Sequence, residues 1–527
     1  MFSICRMSHC ELFLLVVLIG SSAAAQSPDN QDHPSRSETP KFTVTTRLVV
    51  LDVAVTDKSG NAIPDLKQED FAIYEDKVPQ KIRYFEVPAQ HRLTPELRVE
   101  STTDLAKAPE APVTILVLDE LNTRYEDMSF ARYALEKYLT SQPAVLPQPV
   151  TLLVVGNTKF QVLQDYTRDR QAILKVLAKH FPDYPWRLVQ SGKSGPGAAE
   201  RLAMSIGSLE QIAQATSGHP GRKNVVWVGR GFPSVNTKES TDKEADVIKS
   251  ALAHVINVLR DARITLTMID PTINAVDTVE IASTDDLDAA EDSNGSDPFA
   301  GDINFQLLAP ATGGRVYFSR NDVDAEIGTS IRDGNQYYTL SYAPSNGNDL
   351  AQPYRRISVK IDRPGLTATT RNGYYIQAEH SAPPSTSKDL LDLRARIAFD
   401  LDSAANSNIA YIGLPSTVSR LSSRIDTFVV HVDSRALNWR EMPDGSLQAE
   451  VTLLAGSFSK QNRLVAHTVQ EMTAHTRTSQ PQSAQPATAD FTITTTIPKD
   501  AARVRFVVRD AASRKLGTAD FSLGGSH

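Results

Sequence analysis

The stretch Val113-Thr-Ile-Leu-Val-Leu118 constrains this chain more than any other. An apolar run of this kind, followed at once by the helix-like segment Met128 to Leu139, reads as a strand buried on both faces of a parallel sheet. In open α/β sheets, ligands gather outside the carboxyl ends of the strands. The run ends there in Asp119-Glu-Leu-Asn122-Thr123. A carboxylate beside hydroxyl and amide oxygens suits a hard divalent cation, Mg²⁺ or Ca²⁺. The same Asp and Asn also suit the start of the next helix, where they cap free backbone N–H groups.

Strand–helix alternation continues from Pro112, the mark of an α/β sheet. Strands are predicted at Val113–Leu118, Val150–Gly156, Phe160–Leu163, Asn224–Val228, Arg263–Ile269 and Arg315–Phe318. Helices are predicted at Met128–Leu139, Arg168–His180, Ala198–Ala215, Thr241–Asp261, Asn304–Ala311 and Val323–Asp333. Gln336–Tyr342 and Tyr354–Ile361 alternate, and read as antiparallel strands on one edge of the sheet or beside it. This α/β region covers 112–380.

On either side, short strands and turn signals predict β-sandwiches, one over 42–105 and one over 399–524. Residues 381–398 read as a linker and short helix, and 26–41 as a disordered lead. Residues 1–25 have the form of an export signal: Arg6, the apolar Leu12–Ile19, and Ala23-Ala-Ala25 before Gln26. Cleavage after Ala25 is expected, with a retained anchor as the alternative. The destination is then the periplasm, the cell envelope or the medium. No later stretch is long and apolar enough to span a bilayer, so peripheral or no membrane association is expected.

The two cysteines, Cys5 and Cys10, both fall inside the signal, so the exported chain has neither disulfides nor thiol chemistry. A net charge of -7 argues against nucleic acid as a partner.

Several motifs together resemble one lineage, the von Willebrand factor A (vWA)-related domain family of acidobacterial type. They are Leu51-Asp-Val-Ala-Val-Thr-Asp-Lys-Ser-Gly, Leu66-Lys-Gln-Glu-Asp-Phe71, Leu118-Asp-Glu-Leu-Asn-Thr123, Gly221-Arg-Lys-Asn-Val-Val-Trp227, Gly313-Gly-Arg-Val-Tyr-Phe318, Tyr337-Tyr-Thr-Leu-Ser-Tyr342 and Arg371-Asn-Gly-Tyr-Tyr375. The resemblance covers about residues 42–380. It implies a vWA-like three-layer α/β sandwich with a mainly parallel sheet. It also implies a metal site opening with Asp-x-Ser-x-Ser, of which Asp119 and Thr123 remain while Leu121 replaces the first Ser.

Such a site also takes a hydroxyl from a distant loop and a carboxylate after the fourth strand. Ser191 and Ser194 are the candidate hydroxyls. After the fourth strand the chain has Gly229-Arg230-Gly231, and Arg230 opposes a cation. The expected site is therefore degenerate: Asp119, Thr123, Ser191 and Ser194 holding a metal weakly, if one is held. Asn122, Trp186 and Arg230 would face a partner, Trp186 because an exposed Trp favours interfaces.

The familiar catalytic templates are missing: no G-x-S-x-G, no H-E-x-x-H, no Walker loop, no dinucleotide fingerprint. His431 and His467 lie on predicted strands as structural residues. The acidic loop Thr284–Gly295 misses calcium-loop spacing and reads as a solvated loop. The expected function is an exported, non-enzymatic binding or adhesion-type protein contacting a protein or surface polymer. The alternatives are an envelope hydrolase with an unrecognised site and an inert scaffold. Saturation of the Asp119 oxygens by backbone N–H groups would mark the scaffold.

Overall fold

The computed structural model describes residues 48–94, 96–157, 160–191, 196–233, 242–272, 305–318, 321–345, 354–376, 386–422, 424–477 and 487–523. The export signal, the lead at 26–41, the acidic loop and Ser194 lie outside the described residues.

The apolar run becomes β5 (Val113–Asp119), and it is central. It joins β6 (Val145–Val155), β7 (Phe160–Asp169), β8 (Lys223–Val228), β9 (Ile264–Ile269) and β10 (Val316–Tyr317) in a sheet of order β7-β6-β5-β8-β9-β10. Neighbours run parallel except β6 and β7. Numbered within the sheet, the order is 3-2-1-4-5-6, with its switch point between β5 and β8, where doubly wound sheets open a ligand crevice.

Strand alternation divides the core. Ile115, Val117, Val225 and Trp227 face α4 (Pro196–Thr216) and α5 (Asp242–Asp261). Leu116, Leu118, Val226 and Val228 face α1 (Tyr125–Ser141), α2 (Arg170–Lys179) and α7 (Val323–Asn335). Helices on both faces explain why β5 and β8 are buried along both sides, while β9 places buried Thr265 and Thr267 between Ile264, Leu266 and Met268. Two short helices, α3 (Trp186–Ser191) and α6 (Leu308–Ala311), complete the layer.

The strands before and after this layer belong together. One sheet has the order β13 (Thr367–Thr369), β1 (Val49–Thr56), β11 (Tyr338–Tyr342), β4 (Ile82–Glu86). A second has the order β14 (Gly373–Tyr375), β12 (Tyr354–Ile361), β2 (Phe71–Glu75), β3 (Val78–Gln80). They share one core, with Leu51, Val53, Phe71, Ile73, Tyr338, Leu340 and Ile357. The segments 336–342 and 354–361 are antiparallel strands as expected, but neither joins an edge of the α/β sheet. Tyr338–Tyr342 pairs with Val49–Val53, and Ile357–Ile361 with Phe71–Glu75. The first β unit is therefore built from two distant stretches, with the α/β layer between them in sequence. Alternation marked these segments as strands but carries no information about which strand each one pairs with.

The other faces of β1 and β11 lie against the α/β layer. Buried Asp52 on β1 accepts from Arg263 at the start of β9, Nη2–Oδ1 2.5 Å, and Arg263 also donates to Thr339 on β11. Burial would raise the Asp52 carboxyl, yet the Arg263 guanidinium holds it below its ordinary value.

Toward the C-terminus, α8 (Ser387–Asn406) packs on a sheet of β17 (Arg440–Glu441), β18 (Ser446–Ser459), β21 (Ala501–Asp510) and β22 (Leu516–Ser522). β19 (Leu464–Arg477) pairs with β18. A three-stranded sheet of β15 (Ser416–Ser422), β16 (Thr427–Asp433) and β20 (Thr488–Thr494) shares the core of Phe428, Val430, Leu453, Ile493 and Phe506.

Breaking the Asp52–Arg263 pair strands a buried carboxylate. Arg263→Ala should cost about 3–5 kcal/mol in urea unfolding, and Asp52→Leu/Arg263→Met together should cost less than that single change. Equal or greater loss in the double variant would contradict this role.

Candidate functional site

Asp119 ends β5 at the switch point and is fully buried. Its Oδ1 accepts from Leu121 N at 3.2 Å, Asn122 N at 3.1 Å and Asn122 Nδ2 at 3.3 Å. Its Oδ2 accepts from Asn122 Nδ2 at 3.1 Å and Trp227 Nε1 at 3.0 Å. Two backbone N–H groups, an amide and an indole thus surround one carboxylate. Asn122 also donates to Ser205 Oγ at 3.0 Å and accepts from the buried Arg201 Nε at 3.3 Å.

The residues of the expected metal set are only partly together. Thr123 sits beside Asp119, but its Oγ1 accepts from Arg230 N at 3.0 Å. Gly229 closes the space: a Cβ there would stand 2.5 Å from Asp119 Cβ and 2.7 Å from Thr123 Oγ1. Leu121 is fully buried in the core that holds Trp227 and Phe232. Ser191 ends α3, and Ser194 lies outside the described residues. The hydroxyl that reaches this cluster comes instead from Ser205 on α4.

A divalent cation needs free oxygen lone pairs and a roomy shell. Here both Asp119 oxygens accept from N–H donors, Thr123 Oγ1 accepts from Arg230 N and Asn122 Oδ1 from the Arg201 guanidinium, so this donor set does not fit Mg²⁺ or Ca²⁺. Among the described residues, no group of three or more His, Cys, Asp or Glu could hold a metal ion.

Outside this closed centre the edge carries mixed charge. Glu120 is buried, its Oε1 2.6 Å from His180 Nε2 and its Oε2 accepting from Asp183 N at 3.0 Å. Asp127, in the first turn of α1, is raised by burial and then by the charge of Asp270, while Arg124 and Arg230 pull it down. Asp270, just beyond β9, accepts from Thr272 N at 2.9 Å and Thr272 Oγ1 at 2.6 Å.

The expected partner residues separate. Asn122 is buried and cannot reach a macromolecule, and Arg230 is half-buried. Trp186 is 40% exposed, within a ridge formed by Phe181 at 74%, Tyr184 at 63% and Val189 at 59%. The ridge is fixed from below. Asn157, just past β6, donates to Tyr184 O at 3.0 Å, and Arg187 Nε donates to Asn157 O at 2.7 Å. Glu120 holds its other end through His180 and Asp183. The Arg187 guanidinium lies 4.6 Å from the Trp186 ring centroid. Sequence reasoning found Trp186 but missed Phe181 and Tyr184. Three aromatics within six residues, interleaved with Pro182 and Pro185, were the available signal.

A second constellation was also missed. Ser419 Oγ lies 2.9 Å from His431 Nε2, and His431 Nδ1 lies 2.8 Å from Asp490 Oδ1. These are the relations of nucleophile, base and orienting acid. They are brought together by strand register, His431 opposite Asp490 and Ser419 two residues from its partner Thr417. Both side chains that would tune the Ser are open to solvent, 29% for His431 and 53% for Asp490.

No protein-family model matches the sequence, and no curated protein does. Among solved structures the chain is similar to the mussel byssus proximal thread matrix protein 1, at 11% identity and TM-score 0.20, over 31% of this chain and 38% of that one. It is similar to the SpRpn10 VWA domain at 15% identity and TM-score 0.17, over 31% of this chain and 89% of that one. It is also similar to a Bacteroides uniformis beta-glucuronidase at 11% identity and TM-score 0.13, over 36% of this chain and 18% of that one. The chain thus spans well under two thirds of the first and third of these proteins. Overlaps this slight leave the strand order as the ground for the fold.

Burial pushes the Asp119 carboxyl up to about 6, against the opposing bonds from Asn122 and Trp227. A raised carboxyl binds its proton better in the folded chain. Its stabilising share is full below the ordinary 3.8 and is lost as pH rises through about 6. Asp119→Ala should cost roughly 1–3 kcal/mol at pH 4 by orphaning its donors. In urea unfolding the gap to wild type should narrow toward pH 7 and ignore chelator. A gap that widens with pH, or that needs Mg²⁺, would contradict this reading.

Proposed function

We propose that this chain is an exported, non-enzymatic binding protein of vWA-like fold. It takes a protein or surface-polymer partner at the carboxyl edge of the parallel sheet, through the ridge of Phe181, Tyr184, Trp186 and Val189. The ridge is the observation that carries this reading. Large apolar side chains held outward on a braced segment cost solvation and mark an interaction surface. Trp and Tyr beside Arg187 are also the residue types that dominate binding energy. Saturation of the buried Asp119 by Leu121 N and Asn122 N is the mark set for an inert scaffold. We read the Asp119 face itself as inert, without metal, and contact as confined to the ridge. The two β units, read as β-sandwiches, act as spacers or docking modules.

A hydrolase is the second reading, favoured by Ser419, His431 and Asp490. An open sheet face leaves any developing charge in water, where preorganised stabilisation is weak. That weighs against it.

Two measurements separate these readings. Trp186→Ala/Tyr184→Ala should weaken capture of envelope components by about thirtyfold, the effect of losing a hot spot of about 2 kcal/mol. Circular dichroism should be unchanged, and EDTA should not affect wild-type capture. Undiminished capture by that variant would sink the ridge. A fluorophosphonate probe should label wild type no more than Ser419→Ala; labelling that depends on Ser419 would move the assignment to the hydrolase.

A further inference from the structure

We infer that β19 is a self-association edge, along which a second copy of this chain pairs antiparallel about a two-fold axis at Thr473. β19 runs for 14 residues, Leu464–Arg477, where strands of five or six are usual. Among the described residues its ladder partner is β18, from Ser446 to Phe458. The opposite edge therefore presents a long row of backbone donors and acceptors, which is a template for another strand. Devices that blunt such edges are sparse here. The strand has no proline and no lysine, and its register shift lies at the far end, where Phe458 meets Leu464.

The sequence of the edge selects its occupant. His467, Val469, Glu471, Thr473 and His475 form the exposed face, while Met472 and Ala474 turn toward the core. A two-fold axis at Thr473 sets Glu471 opposite His475 of the partner subunit, and the reverse, so a carboxylate meets an imidazole N–H donor in both pairs at once. Thr473 meets its own copy, and Met472 adjoins Ala474 of the partner subunit on the core side. Complementary polar pairs and paired Thr residues across strands are favourable. A slip of one residue would turn exposed side chains toward the core, and an axis at Glu471 would oppose two carboxylates. An axis at Val469 would also pair Glu471, with His467. That end is already occupied, however, since Thr468 Oγ1 lies 2.9 Å from Thr495 Oγ1.

Sedimentation of the full chain tests this pairing. Wild type should be a dimer. His475→Glu should weaken it by about tenfold, because two attractive pairs become repulsive. Glu471→His/His475→Glu exchanges the partners and should restore it. Thr473→Pro, which removes a ladder donor, should give a folded monomer. If the proline variant fails to fold, the charge exchange decides. A monomeric wild type overturns the inference, including one whose edge instead accepts an unrelated peptide. So does a dimer indifferent to these changes, or a charge exchange that fails to restore it.

Discussion

The carboxyl edge of the sheet depends on how Asp119 is satisfied. A buried carboxylate is costly unless its lone pairs are met. Here they are met by Leu121 N, Asn122 N, Asn122 Nδ2 and Trp227 Nε1. Each bond fixes something else. The backbone bonds turn the chain from β5 toward α1, the Asn122 amide ties that turn to Ser205 on α4, and the indole locks Trp227 within β8. Gly229 is required because nothing larger fits between Asp119 and Thr123. Residue types that invite a cation in sequence thus form a structural knot in space, and the exposed aromatic side chains stand on the neighbouring ridge.

A second constraint is the junction between the first β unit and the α/β layer. Several cations are buried there. Burial pushes Lys223 down to about 7 and Arg371 down to about 10. Asp52 and Arg263 bond directly across this junction. The β unit is therefore held to the layer by charge as well as by chain connection, at the amino ends of β8 and β9.

Much of this was legible in the sequence, and the boundary has a physical cause. Local periodicity carried β5, the alternating helices and the position of Asp119 at a strand end, since each depends on neighbouring residues. Pairing between Val49–Val53 and Tyr338–Tyr342 was not legible, because nearly three hundred residues separate the strands and alternation does not name a partner. The state of Asp119 was half legible. Its bonds to Leu121 and Asn122 are a local Asp-centred turn and not the expected helix cap, since α1 begins at Tyr125 behind Arg124 with no side-chain cap bond. Trp227, Ser205 and Arg201 arrive from distant elements. Ser419, His431 and Asp490 fit no linear motif, because only the register of three strands joins them. Trp186 stood out by residue type, and its ridge became visible only with exposure.

The central claim is that Asp119 is a saturated structural carboxylate and not a metal ligand. Crystals soaked in Mn²⁺ and measured by anomalous diffraction test it most directly. The claim predicts no anomalous peak within coordination distance of Asp119 Oδ1, Asp119 Oδ2 or Thr123 Oγ1, with the Trp227 and Asn122 bonds intact. A peak there, with those N–H donors displaced from the carboxylate, would contradict it.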